Sequence, residues 1–347
     1  MMKELKEILK ILTESIGPSG MEEKSFESVK KILEGEENIT ISLDKMGNII
    51  IFRKGDRKEK IAFFTHNDEI GLIVTKIDGD YLRFTSVGGY DEKVLLGQEV
   101  TVYGEKVVSG IIGATPPHLQ KAGESDKLLK YEDLYVDLAM KNKELEKYFK
   151  IGDRIILKSE FTELKNDFVC CKSIDNRGSA AAIINILNHI KNLKNIPDLY
   201  FVLNAQEETT MVGSLTSCYS INPDIAVVVD VTFAKQPGVE SGISYDSIGI
   251  GRGSHICSDL YDYITEIAKR ENIKYEIEAV PQHSGTDAYA VQTARGGIKT
   301  ILLSLPIKNM HSPREIVNVK TIDKISKLLS LFVSEVEFEK YGEKIIK

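Results

Sequence analysis

Two adjacent carboxylates, Glu207 and Glu208, follow an apolar run over residues 199–203 that reads as a buried strand. Carboxylates in such a place are costly unless something cationic meets them. Neighbouring side chains on extended backbone point to opposite sides, so one Glu can meet an ion while the other faces whatever lies beside it. Taken alone, the pair is as easily a solvated loop opening. But the arrangement recurs. His66 follows an apolar run over residues 61–65, Asp230 follows one over 225–229, and His311 lies in the loop after one over 300–305. Asp175 sits in a polar turn, Ser173-Ile174-Asp175-Asn176-Arg177-Gly178, between a strand and a helix. Each residue alone has a plain explanation: a core histidine, a turn residue, a helix cap. Together, two His and several carboxylates suit zinc or a similar divalent ion. Five candidate ligands exceed what one catalytic ion with an open position needs, and a pair of ions sharing a carboxylate accounts for the count. His118, His189 and His255 have no such placement and are read as ordinary histidines.

The elements that position these residues belong to an α/β layer. In open α/β sheets ligands collect beyond the C-terminal ends of parallel strands, and His66, Glu207-Glu208, Asp230 and His311 are expected just past such ends. Leu5, Ile8, Leu9, Leu12 and Ile16 predict an opening amphipathic helix, ended by Gly17-Pro18-Ser19-Gly20. Ser19 and Glu22 have the spacing of a capping box for a second helix. An Ala/Ile-rich helix is expected from Ser179, a Gly-rich loop over residues 249–253, a helix capped by Thr286 or Asp287, and a last amphipathic helix over 319–336. Between these, residues 71–163 change texture. Short β-like runs alternate with turns, with one helix over 143–149, which suggests a small barrel or sandwich. The expected organisation is a catalytic α/β domain of residues 1–70 plus 164–347, holding a β-rich insert over 71–163.

Composition narrows the function. With 347 residues, 42% hydrophobic and 28% charged, the chain reads as a soluble globular protein with a sizeable core. A net charge of -7 argues against a nucleic-acid surface. No apolar run has membrane-spanning length, and Lys3, Glu4, Lys6, Glu7 and Lys10 interrupt any leader-like core. Cys170, Cys171, Cys218 and Cys257 show no framework spacing, so free thiols and a cytoplasmic location are expected.

The ordered set His66-Asn67-Asp68-Glu69-Ile70-Gly71, Ser173 to Gly178, Gln206-Glu207-Glu208, Asp230-Val231-Thr232, Gly285-Thr286-Asp287-Ala288 and Met310-His311-Ser312-Pro313 resembles the tetrahedral aminopeptidases, family forty-two of the metallopeptidases. Gly17-Pro18-Ser19-Gly20 and Pro116-Pro117-His118-Leu119 match further landmarks of that family. The resemblance implies a zinc-exopeptidase-like fold, a mixed and largely parallel sheet flanked by helices, with a barrel-like insert. It implies two divalent ions, zinc or cobalt first. Asp175 would bridge them, His66 and Asp230 would complete one site, and Glu208 and His311 the other. Glu207 would be the general base, and Asp68 would orient the His66 imidazole. It further implies peptide substrates, an insert that makes dimer contacts, and six dimers forming a tetrahedral dodecamer. Asn176 stands where the family often has Asp, Asn67 where it often has Met, and His283-Ser284 where the approach to Gly285 is often Gly-rich. None of these removes a ligand. The rival readings are a metal-dependent carboxypeptidase or amide deacylase, a glycoside hydrolase working through two carboxylates, and a non-enzymatic scaffold.

Overall fold

The computed structural model describes residues 3–119 and 128–338. In chain order the first strands are β1 (Ile39–Leu43), β2 (Ile49–Arg53) and β3 (Lys60–His66). There follow β4 (Gly71–Asp78), β5 (Tyr81–Val87), β6 (Glu99–Tyr103), β7 (Val107–Ala114), β8 (Leu134–Asp137) and β9 (Arg154–Leu157). The rest are β10 (Thr162–Glu163), β11 (Phe168–Cys171), β12 (Asp198–Asn204), β13 (Ile225–Phe233), β14 (Ile248–Gly253), β15 (Tyr275–Val280), β16 (Lys299–Ile307) and β17 (Glu315–Asn318). The helices are α1 (Leu5–Glu14), α2 (Phe26–Ile32), α3 (Asn142–Tyr148), α4 (Ile174–His189), α5 (Val212–Ile221), α6 (Ser258–Arg270), α7 (Asp287–Val291) and α8 (Val319–Glu335).

The main layer is an eight-stranded mixed sheet in the order β1-β2-β12-β3-β13-β16-β14-β15. Its four central strands, β12, β3, β13 and β16, run parallel. Their sequences are unbroken apolar runs rather than alternations, as strands covered on both faces require. Helices supply the cover. α4 is buried along almost its whole length, with Ala180-Ala181-Ala182 allowing close approach. α8 lies against it and buries Ile322, Ile325, Leu328, Leu329 and Phe332. This is the α/β fold with a mixed sheet flanked by helices that the sequence implied.

β4 to β9 close into a barrel in the order β4-β5-β8-β7-β6-β9, with its own core around Leu72, Leu82, Val100, Val102 and Ile155. The barrel lies in chain order between β3 and β11. Residues 120–127 of the segment expected to be β-rich lie outside the described residues, as do positions 1–2 and 339–347. No described helix is long and apolar enough to cross a membrane.

Three local expectations are corrected, and the placement of β11 is a further finding. Ser19 and Glu22 form no capping box. The Ser19 hydroxyl donates to Asp68, and a 3-10 turn, Glu22–Ser25, precedes α2. Residues 249–253 are strand, not loop, because Gly249 and Gly251 let β14 lie close against β16; an added Cβ would come within 2.9 Å of Ser304 Cβ and 3.1 Å of Leu302 Cβ. Asp230 sits inside β13 rather than past its end. And β11, which leads to Asp175, belongs to a separate antiparallel sheet, β10-β11-β17.

Candidate metal centre

The ends of the central parallel strands and two flanking turns bring the candidate residues into one buried cluster. β3 ends in His66, and β13 carries Asp230. After β12 the chain turns through Gln206, whose φ is 60°, and presents Glu207 and Glu208. That turn is held by carboxylates. Glu22 accepts the Gln206 N–H at 3.0 Å, and Asp68 accepts those of Glu207 at 3.0 Å and Glu208 at 3.2 Å. Asp175 enters at the start of α4, where residues 175 and 176 depart from helical geometry and the peptide between them is cis. His311 arrives on the loop between β16 and β17, with a φ of 60°.

Asp175 lies between the two histidines. Its Oδ1 is 3.0 Å from His66 Nε2 and its Oδ2 is 3.2 Å from His311 Nε2. Two sets of ligand atoms result, His66 with Asp175 and Asp230, and Asp175 with Glu208 and His311, each within 4.8 Å. Both imidazoles are oriented alike. His66 Nδ1 is 3.1 Å from the Asp68 carbonyl oxygen, and His311 Nδ1 is 3.0 Å from that of Gly89, in the segment that follows β5. A carbonyl only accepts, so each Nδ1 carries a proton and each Nε2 faces the cluster, donating to Asp175 while protonated and offering a lone pair to an ion once that proton is lost. The Asp68 carboxylate itself stands farther from His66, at 3.6 Å. The family resemblance gives Asp68 the orienting of the His66 imidazole, and its backbone carbonyl and carboxylate both lie beside His66 Nδ1. The carboxylate's shortest bonds run to Ser19 Oγ, at 2.5 Å, and to the Glu207-Glu208 backbone.

Electrostatics fit a cationic occupant. Burial, with Asp230, Asp287 and Glu208 adding, pushes the Glu207 carboxyl well above its usual range against the pull of His66. Burial and Asp175 raise Glu208, and burial raises Asp230. Burial would also raise Asp175, but hydrogen bonds from His311 and His66 hold it well below the carboxylate range. The bond to Asp175 lifts His311 to about 9. Among the described residues, Glu207 Oε1, Asp287 Oδ1 and Asn176 Oδ1 are buried without a hydrogen-bond partner. Crowded carboxylates with unmatched acceptors, beside two imidazoles whose Nε2 atoms face them, are a donor set suited to divalent ions.

Several participants escaped the sequence reading. Glu315 accepts the backbone N–H groups of Asp175, at 3.0 Å, and His311, at 2.9 Å. Asn204 donates to Asp287 at 2.9 Å, which brings the start of α7 to the cluster. Glu69 pairs with Lys172 and Arg177 and accepts from Ser173 at 2.6 Å, tying the turn after β3 to the turn before α4. The polar density around residues 66–69 and 311–315 was visible, but nothing in it distinguished a ligand from its support. His118 is exposed, His189 lies 3.3 Å from Asp323, and His255 lies 3.1 Å from Ser284; none of the three belongs to either ligand set. All four cysteines are free, and burial pushes Cys171 and Cys218 up to about 12.

Comparison with known proteins agrees with this geometry. A family model described as M42 glutamyl aminopeptidase matches residues 47–328. The lysyl aminopeptidase of Pyrococcus furiosus is 31% identical over 340 residues, spanning 95% of this chain and 97% of that one. A TET aminopeptidase from a marine sediment archaeon of the Thaumarchaeota superposes with a TM-score of 0.90 at 26% identity, covering 97% of this chain and 98% of its own. The TET1 peptidase of Pyrococcus horikoshii, described as able to assemble into a tetrahedron or a large octahedral shell, superposes at 0.84 with 28% identity, covering 96% of this chain and 100% of its own.

Proposed function

The chain belongs to the M42 glutamyl aminopeptidase family and is a peptide hydrolase, and from that premise we propose that it releases N-terminal residues from short peptides using two divalent ions that share Asp175. The observation that carries the reading is the position of Asp175, with one carboxylate oxygen toward His66 and the other toward His311. His66 and Asp230 would complete one site, and Glu208 and His311 the other. Imidazole with carboxylate suits zinc or a similar divalent ion, and the family resemblance puts zinc or cobalt first. Ions held there lower the pKa of water and polarise a peptide carbonyl.

Glu207 carries the proton. Its Oε2 is 3.8 Å from His66 Nε2, its Oε1 has no hydrogen-bond partner among the described residues, and Asp68 fixes its backbone. It accepts a proton from the attacking water and delivers it to the amine nitrogen, which leaves poorly unless protonated. Selectivity for a free N-terminus follows if the charged amine meets an acidic partner that an acetyl cap cannot use. Residues 71–163, which carry the barrel, are read as an inserted domain making dimer contacts, with dimers building a tetrahedral dodecamer as the shells of TET relatives suggest. Four free thiols favour the cytoplasm.

The test is a peptide series with free and acetylated N-termini, read by mass spectrometry beside a soluble glucan, with Glu207→Gln in parallel. Stepwise loss of residues from free N-termini, abolished by a chelator, is expected. The variant should keep both ions and lose turnover by on the order of 100–10,000-fold. C-terminal cleavage, equal cleavage of capped peptides, or chelator-insensitive glucan hydrolysis would each defeat the reading.

A further inference from the structure

We propose that Glu315 is a positioning residue that sets the Asp175–Glu208–His311 half of the centre by holding two ligand-bearing backbones with one carboxylate. The inference rests on the two-ion reading above and adds a residue with no place among the ligands. Glu315 opens β17 directly opposite Cys171 of β11, which puts its side chain beside the turn into α4. It is 2% exposed. Oε2 accepts the Asp175 N–H at 3.0 Å and Oε1 accepts the His311 N–H at 2.9 Å. These two residues are far apart in sequence, Asp175 at the start of α4 and His311 on the loop between β16 and β17. Among the described side chains, Glu315 is the one bonded to both backbones.

His311 needs such a hold. Its φ of 60° is a left-handed conformation that a non-glycine residue keeps only where its surroundings impose it. The neck of its loop is closed by paired bonds between Lys308 and Ile316, at 2.9 and 3.0 Å. Glu315 is next to that neck and reaches inward to the His311 amide. The other end of the residue is fixed by Gly89 at Nδ1. With both ends held, Nε2 faces Asp175 Oδ2 and Glu208 Oε1, at 3.2 and 3.6 Å. His66 and Asp230, in contrast, are carried by β3 and β13, and the Glu315 carboxylate bonds the Asp175 and His311 amides rather than either of them.

Glu315→Gln preserves size while turning one acceptor toward an N–H as a donor. Metal-stripped full-length protein, wild type and variant, would be titrated with cobalt by calorimetry and by visible absorption. The wild type should take up two ions. Glu315→Gln should weaken the ion at Glu208 and His311 roughly 10–100-fold, the usual effect of losing a partner that orients a ligand, and the ion at His66 and Asp230, which shares Asp175 alone, by clearly less; retained binding of that ion also shows that the variant is folded. Excess cobalt should then restore kcat with KM for peptide unchanged, a recovery that a folding defect would not show. Glu315→Asp, which keeps both acceptors, should lie between the two. Wild-type binding of both ions by Glu315→Gln would overturn the proposal while leaving the two-ion reading intact. Equal loss of both ions together with a lower unfolding temperature would overturn it in favour of a purely structural role. A wild type that binds fewer than two ions would bring down the two-ion reading first, and this inference with it.

Discussion

Asp68 has no exposed surface and, among the described residues, no cationic partner closer than the His66 ring at 3.6 Å, yet its carboxylate receives three hydrogen bonds. That arrangement makes it the brace of the Glu207-Glu208 turn, while the backbone carbonyl of the same residue orients His66. Asp68→Asn should therefore lower kcat roughly 10–100-fold and weaken the ion at Glu208 and His311 before the one at His66 and Asp230. Cobalt titration checks the order; earlier loss of the His66 ion would mean that the carboxylate acts through the imidazole after all. Removing the ions exposes the electrostatics of the cluster. Glu207, Glu208 and Asp230 then have folded-state pKa values above their unfolded ones, mainly through burial. Such acids hold protons that the unfolded chain has lost, so stability falls as pH rises above the ordinary carboxylate range. His66 and His311, raised by their carboxylate neighbours, act in the same direction: the stability they add is present below their ordinary value and is lost as pH rises through the folded value, about 9 for His311. Asp175 is lowered, so its contribution is lost only in acid, outside this window. The unfolding temperature of metal-stripped protein should thus fall by several degrees from about pH 5 to about pH 9, and divalent ions should restore most at the alkaline end because they compete with protons. A flat or rising profile in calorimetry would contradict this. The ligand candidates were legible in the sequence because type and strand-end position both singled them out. Glu315 and the brace role of Asp68 were not, because a bond to a backbone amide leaves no mark on residue type or spacing.

At the scale of elements, the site depends on a junction between the α/β layer and the barrel. Gly88 and Gly89 follow β5, and the Gly89 carbonyl orients His311. Gly88 has a φ of 78°, and an added Cβ would stand 2.5 Å from Ile70 Cγ2. Gly79 has a φ of 62° with nothing within 4 Å. Gly79→Ala should cost about 1 kcal/mol from backbone strain alone. Gly88→Ala should cost about 1–3 kcal/mol more through overpacking, and it should lower activity because Gly89 moves with it. Thermal unfolding and peptide turnover of the two variants test this; equal effects would separate the junction from the site. The main layer was readable because buried parallel strands are unbroken apolar runs, as over residues 225–229 and 300–305. The barrel strands were readable from period-two texture between turns. The failures have specific causes. Gly249 and Gly251 look like loop residues, but glycine also serves close strand packing. Ser19 fits a capping box until Asp68, remote in sequence, offers its hydroxyl a carboxylate. β17 is too short to show a period, and its pairing partner β11 is equally short.

On the scale of the whole molecule, the exposed apolar side chains of the barrel remain to be covered. Val107 is 63% exposed and Ile151 70%, while Leu96, Leu119 and Leu128 in the same segment are 50%, 68% and 69% exposed. Val107 opens β7 after its turn from β6, and Ile151 lies between α3 and β9. The two turns touch, since the Glu105 N–H donates to the Tyr148 carbonyl at 2.9 Å, so Val107 and Ile151 share one end of the barrel. The proposed catalytic residues are elsewhere, and the Gly89 carbonyl, just after β5, is the described hydrogen bond from this segment to a proposed ligand. A charge at a packed apolar contact costs more than the contact contributes, whereas the same charge on a free surface costs little. The double variant Val107→Glu/Ile151→Glu should therefore lower the solution mass seen by light scattering, while unfolding temperature, ion stoichiometry and turnover of a dipeptide stay close to wild type. The wild type itself should scatter as an assembly many times the mass of one chain. If the wild type is a monomer, the proposed shell is wrong. If it is an assembly that the two glutamates leave intact, the contacts lie on another face, and the exposed end of the barrel has some other occupant.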